Sequence, residues 1–190
     1  MNPILLSGEW KKGYALDVHI ISSVYLGEDE YGRPKFKTIR SDLGELVYEL
    51  KYKNNLNVLD DIEEIIQSFF KGNNFKDTID CIIPVPSSNK RVHQPVDNIS
   101  SLIGNILKKE VVYDYLKKNS NNQSKNLDSS QKVAIKGSIQ RIKYFKVKVN
   151  VLLVDDLYDS GVTLNECVRV LKEDKNINNI YVLTMTKTKG

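Results

Sequence analysis

Val151-Leu-Leu-Val-Asp-Asp-Leu-Tyr-Asp-Ser-Gly-Val-Thr-Leu164 runs from four apolar residues through an acidic pair into a small polar turn. Its four leading apolar residues show no polar alternation, which predicts a strand buried on both faces, as in a parallel sheet. Asp155 and Asp156 then fall at the carboxyl end of that strand, where open α/β sheets hold their ligands. Asp159, Ser160, Gly161, Val162 and Thr163 make the turn into a helix whose apolar face is Leu164, Cys167, Val168 and Leu171. Backbone N–H groups at such a turn are unpaired and the helix dipole adds partial positive charge, so the turn suits an anion. Thr163 and Glu166 are spaced as a capping box. The stretch therefore sets donors for a phosphate beside acceptors for sugar hydroxyls or a metal-bound group.

Upstream, Cys81-Ile-Ile-Pro-Val85 is a second unalternating run and reads as the first strand of the parallel sheet, with Pro84 and Pro86 marking its end. The loop Ser87-Ser88-Asn89-Lys90-Arg91 is small, polar and doubly basic, and Gln94-Pro95 opens a helix with Pro at a permitted position. Glu110 to Leu116 reads as the second sheet strand and Ile180 to Met185 as the last. Lys117 to Asn126 is almost wholly Lys, Asn, Ser and Gln and has nothing to bury; residues 128–139 read as a short helix after it. Before the sheet, Leu16, Val18, Ile20, Val24 and Leu26 alternate and Phe36 to Ile39 returns, which reads as a long hairpin outside the main sheet. Ser41 caps a helix carrying Leu43, Leu46, Val47 and Leu50, and Leu59, Ile62, Ile65, Ile66, Phe69 and Phe70 stripe the next one.

Composition narrows the class. At 190 residues, 41% hydrophobic and 27% charged, the chain suits one soluble domain with at most a small appendage. A net charge of +4 fits an anionic small molecule as well as a weak nucleic-acid preference, but the lysines are dispersed rather than striped, so direct nucleic-acid binding is not supported. No apolar run reaches the length of a membrane span and no signal-peptide pattern opens the sequence, so a cytoplasmic protein is expected. Cys81 and Cys167 lie in apolar segments and read as core residues, and His19 and His93 lack metal-ligand spacing. No Gly-Lys-Ser/Thr follows the central strand, which excludes a nucleotide P-loop. A response-regulator receiver also has Asp-Asp after a strand, but near the start of its domain, whereas here most of the chain precedes the pair.

The stretch 151–164 resembles the phosphoribosyl-pyrophosphate (PRPP) signature of type I phosphoribosyltransferases: an apolar strand, two acids, two variable residues, then a small Ser-Gly-x-Thr loop. That resemblance implies a Rossmann-like α/β fold, with a parallel sheet of four or five strands flanked by helices over residues 41–190 and an N-terminal hairpin or hood over residues 1–40. It implies that Asp155 and Asp156 hold the ribose hydroxyls, directly or through Mg²⁺, and that Ser160, Gly161, Val162 and Thr163 wrap the 5′-phosphate. Asp159 matches the acid that 6-oxopurine enzymes use near the purine N7. Ser87, Ser88, Asn89, Lys90 and Arg91 stand where the family binds pyrophosphate. The polar segment stands where the family has a flexible lid, with Gln123 and Lys125, and the later Lys136-Gly137, as contacts.

Three segments, Tyr48-Glu-Leu-Lys-Tyr52, Ile83-Pro-Val-Pro-Ser87 and Arg91-Val-His-Gln-Pro95, resemble the competence-associated (ComF-like) branch. Asp159 departs from the Thr common there, and the Cys-rich zinc module of that branch has no counterpart, so no zinc is expected. The activity implied is transfer of 5-phosphoribosyl from PRPP to a nitrogenous base or amine with release of pyrophosphate, by a protein that admits a homodimer. Two other readings stay open: a PRPP-sensing regulator without turnover, and an accessory in DNA uptake.

Overall fold

The computed structural model describes residues 3–87, 93–119 and 137–189. In chain order the elements are strands β1 (Ile4–Leu5), β2 (Lys12–Val18), β3 (Ile20–Glu28) and β4 (Pro34–Arg40), helices α1 (Asp42–Tyr52) and α2 (Leu59–Lys71), then strand β5 (Cys81–Pro84). Helix α3 (Pro95–Leu107), strands β6 (Glu110–Val111), β7 (Leu116–Lys118), β8 (Ile139–Arg141) and β9 (Val149–Tyr158), helix α4 (Val162–Leu171) and strand β10 (Ile177–Lys187) complete it.

The two apolar runs of the sequence lie side by side, with Cys81 opposite Val151 and Pro84 opposite Val154. The main sheet has the order β1-β2-β10-β9-β5-β6, parallel throughout except for β1 at the edge. From β5 the chain crosses through α3 to β6 on one side; from β9 it crosses through α4 to β10 on the other. Right-handed crossovers in opposite directions place the two helices on opposite faces and leave a crevice between β5 and β9 at their carboxyl ends. The side chains of β9 divide accordingly, with the period of two that a pleated strand imposes. Leu152 and Val154 pack with Ile99 and Ile103 of α3 and with α1 and α2, whereas Val151 and Leu153 pack with Leu164, Cys167 and Val168 of α4. All four β9 residues are fully buried, so truncating Leu152 or Leu153 to Ala costs about 2–5 kcal/mol.

Several local readings hold. Ser41 caps α1, its Oγ accepting from the N–H of Gly44 at 2.9 Å, Pro95 occupies the first turn of α3, and both cysteines are buried.

Others are corrected. The alternating stretch from Leu16 is two strands rather than one. Lys12–Val18 joins the main sheet beside β10 because Ala15 and Leu16 are both buried, a two-sided burial that a free hairpin does not allow. Only β3 and β4 form the separate ribbon. The strand expected over Glu110 to Leu116 splits. Two residues pair with β5, a turn follows with Asp114 at φ +57°, and Leu116 starts a small ribbon with β8. Of the helix expected over 128–139, the described part is instead a turn at Gly137 and the start of β8. Among the described residues no helix is long and apolar enough to cross a membrane.

Candidate functional site

Strand β9 does not stop at the acidic pair. It continues to Tyr158, pairing Asp155 with Thr184 and Leu157 with Thr186 of β10. Its ladder with β5 ends one residue earlier: Val85 N–H donates to the carbonyl of Val154 at 2.9 Å, and Pro86, which follows, has no N–H to carry the ladder on. From Asp155 onward β9 is therefore open on its β5 side. A cavity of about 300 Å³ occupies that opening. Asp155, Asp156 and Thr163 line it from β9 and α4, Val85 to Ser87 from the end of β5, Gln94 to Val96 from the start of α3, and Lys51 and Tyr52 from the end of α1. A second opening of about 120 Å³, lined by Asp155 and by Leu157 to Leu164, adjoins it.

The turn into α4 is set by one glycine. Gly161 has φ +75°, and a Cβ there would lie 2.6 Å from the hydroxyl oxygen of Tyr158. Only glycine takes that backbone conformation freely. The expected capping box does not form: α4 starts from Gly161 without a side-chain cap. Glu166 turns away instead, accepting from the N–H of Gly137 at 2.6 Å and from Arg169 at 2.8 and 3.0 Å. Residue 163 of the expected box is thus left facing the cavity, and the first-turn N–H groups of α4 carry no side-chain cap. Asp159 and Ser160 are exposed, and Asp159 Oδ1 accepts from the hydroxyl of Thr188 at 2.9 Å.

The two aspartates differ. Being adjacent in a strand, they leave it on opposite faces. Asp156, 8% exposed, points to the α1 side, where Lys51 Nζ lies 2.8 and 3.0 Å from its two oxygens. Among the described residues no lysine or arginine pairs with Asp155, whose Oδ1 accepts from the N–H of Asp156 at 2.9 Å. Burial, and then the charge of Asp156, push the Asp155 carboxyl well above the usual carboxylate range. A polar chain extends the site inward. Thr186 Oγ1 donates to the carbonyl of Asp156 at 3.4 Å and shares a 3.0 Å hydrogen bond with His19 Nδ1. Burial and the nearby cations Arg40 and Lys51 hold the His19 pKa below its ordinary value.

The structure thus places Asp155, Asp156, Thr163 and Ser87 around the cavity, and Ser160 to Thr163 with Asp155 around the opening that adjoins it. Ser88, Asn89, Lys90, Arg91, Gln123, Lys125 and Lys136 lie outside the described residues, and so does most of the expected lid. Lys51 is the residue that sequence reasoning passed over. It belonged to a quoted segment, Tyr48 to Tyr52, but on α1 it looked like an ordinary basic residue in a last turn. Its helical offset of one from buried Leu50 was the signal that it borders the core. Among the described residues no three His, Cys, Asp or Glu side chains converge on one point. The crevice is lined by two carboxylates, those of Asp155 and Asp156, and one or two carboxylates beside substrate phosphates is a donor set that fits Mg²⁺.

A family model described as the phosphoribosyl transferase domain matches residues 50–177, more than half of the chain. The match covers β5, the crevice and all of α4. Among solved structures, a hypothetical protein from Neisseria gonorrhoeae with bound ppGpp is 12% identical, with a TM-score of 0.46 and 70% of this chain and 69% of that one covered. Orotate phosphoribosyltransferase from Aeropyrum pernix is 12% identical, with a TM-score of 0.44 and coverages of 83% and 73%. Adenine phosphoribosyltransferase from Saccharomyces cerevisiae is 10% identical, with a TM-score of 0.44 and coverages of 86% and 83%. No curated protein matches the chain.

Proposed function

Because this chain belongs to the phosphoribosyl transferase domain family, we propose that it binds PRPP with Mg²⁺ in the crevice between β5 and β9 and transfers the 5-phosphoribosyl group to a ring or amine nitrogen, releasing pyrophosphate. One observation carries the reading: the carboxyl groups of Asp155 and Asp156 and the uncapped start of α4 line two adjoining openings, which share Asp155 and Thr163, at the switch point of the sheet. A ribose 5-phosphate needs both, because its hydroxyls donate and its phosphate accepts.

In this reading Asp155 and Asp156 accept hydrogen bonds from the ribose hydroxyls and would hold Mg²⁺ with the substrate's oxygens. The metal, when bound, neutralises charge on the departing pyrophosphate. The first-turn N–H groups of α4, with Ser160 and Thr163, receive the 5′-phosphate. Lys51, 2.8 and 3.0 Å from its two oxygens, orients Asp156. Asp159, exposed and steadied by Thr188, takes the proton that the acceptor nitrogen loses as its bond to C1′ forms. The loop Ser87 to Arg91, which enters the crevice at Ser87, receives the pyrophosphate. The transition state carries positive charge on the sugar, so positioning and the carboxylates near the ring supply most of the rate.

The test is release of pyrophosphate from Mg²⁺ and PRPP across a panel of purines, pyrimidines and small amines, with Asp155→Asn and Asp156→Asn as controls. Turnover with one acceptor that both controls abolish supports an enzyme. PRPP binding without turnover on any acceptor overturns it in favour of a PRPP sensor.

A further inference from the structure

We infer that Lys51 is an exchangeable counter-ion: it holds Asp156 before substrate binds, yields that carboxylate to the ribose, and moves to the pyrophosphate group, so that the crevice selects PRPP over ribose 5-phosphate. The inference rests on the PRPP reading above and adds the residue that tells the two sugar phosphates apart.

Lys51 Nζ lies 2.8 Å from Asp156 Oδ2 and 3.0 Å from Oδ1, the place that a ribose hydroxyl shared by both oxygens would take. Ammonium and sugar therefore compete for one carboxylate. The acid is the fixed partner. Its neighbours in β9, Asp155 and Leu157, pair with Thr184 and Thr186 of β10, and its own carbonyl accepts from the Thr186 hydroxyl at 3.4 Å. Lys51 stands in the last turn of α1, and its side chain is the more exposed of the two. A lysine carries a compact charge on a flexible four-carbon stem with three rotatable donors, so it is the partner that moves.

The cavity sets where it goes. Among the described residues that line it, Lys51 is the one cation. The same wall includes Val85, Pro86 and Ser87, which lead into the loop proposed for pyrophosphate, and Gln94 to Val96 at the start of α3. Helix α3 starts without a side-chain cap, so its dipole favours an anion at that end. A pyrophosphate held there puts its charge in the cavity that already contains the ammonium. Ribose 5-phosphate offers no such group: its phosphate goes to the start of α4 in the adjoining opening, and its C1 carries only a hydroxyl. With PRPP the ammonium exchanges one anion for another; with ribose 5-phosphate it gives up Asp156 and gains none.

Calorimetry of PRPP and of ribose 5-phosphate, each with Mg²⁺, into wild type, Lys51→Met and Lys51→Arg tests this, read as the ratio of the two affinities. Lys51→Met is expected to bind ribose 5-phosphate at least as tightly as wild type and PRPP more weakly. The ratio then falls about tenfold or more, the size of one charge-assisted hydrogen bond, and Lys51→Arg keeps most of it. A lysine that only orients Asp156 would weaken both ligands alike. A ratio unchanged in Lys51→Met therefore overturns the inference and leaves the PRPP reading standing, whereas a wild type that binds neither ligand overturns both. Should Lys51→Met fail to fold, acetylation of Lys51 in wild type, read by mass spectrometry, decides. Faster acetylation with ribose 5-phosphate and slower with PRPP is expected; a rate that neither ligand changes overturns the inference.

Discussion

Replacing Lys51 with Met isolates the contact on which the acidic pair depends. Lys51 Nζ sits 2.8 and 3.0 Å from the Asp156 oxygens, and the two side chains are 21% and 11% exposed. Removing one partner of a buried pair costs about 3–5 kcal/mol, because the other charge is left desolvated. The opening of the crevice lets water reach Asp156, so the loss should fall to about 2–3 kcal/mol. Asp156→Asn should cost less, about 1 kcal/mol, since Lys51 is the more exposed partner and its flexible stem can carry the ammonium to water. The double substitution should then be more stable than Lys51→Met alone. Urea unfolding of the four proteins at neutral pH measures this. A Lys51→Met protein within about 0.5 kcal/mol of wild type, the usual range for a surface change, would refute the claim that Lys51 holds Asp156 in the fold.

Three further outcomes follow from the same geometry. Gly161→Ala meets both the positive φ and the Tyr158 hydroxyl, at a cost of about 1–2 kcal/mol from backbone strain alone, and should weaken PRPP binding about tenfold or more by calorimetry. Asp155→Asn should separate stability from binding. The folded Asp155 pKa is raised, so its favourable contribution is present below the ordinary carboxylate pKa of about 4 and is lost as pH rises through the folded value; thermal melts should show the variant more stable than wild type at pH 8 and equal at pH 3, while it no longer binds PRPP. At Asp174, burial raises the carboxyl pKa, but hydrogen bonds from Tyr115, Asn176 N–H and Phe145 N–H and the nearby Arg141 outweigh it and hold it below its ordinary value. That stability is present above the unfolded pKa of about 4 and lost as pH falls through the folded value. Tyr115→Phe, which removes a 2.5 Å hydrogen bond to Asp174, should cost about 1.5–3 kcal/mol at pH 7 and less at pH 2, read by denaturant unfolding.

Sequence patterns succeeded where burial imposes a period or a run. Val151 to Val154 and Cys81 to Val85 are apolar on both faces because they are interior parallel strands, and they alone place the crevice. Gly161 was legible as part of a turn because a sharp strand-to-helix exit needs that residue. Patterns failed where the partner is remote in sequence. Nothing local says that Lys12–Val18 pairs with β10, since that contact spans almost the whole chain. The short β6 and the β7–β8 ribbon depend on a turn at Asp114 that is not glycine. Thr163 and Glu166 had the spacing of a capping box, but Glu166 found a better-paired position with Arg169 and Gly137. Lys51 could be matched to Asp156 only once α1 had been packed over the sheet.

The proposed grip of the β5–β9 crevice on a sugar phosphate is measured by titration calorimetry of PRPP with Mg²⁺ into wild type, Asp155→Asn and Gly161→Ala. Wild type is expected to bind at one site per chain, competed by ribose 5-phosphate, with binding undetectable in Asp155→Asn and weakened in Gly161→Ala. Wild-type binding that persists undiminished in both variants, or no binding by wild type at all, would contradict it.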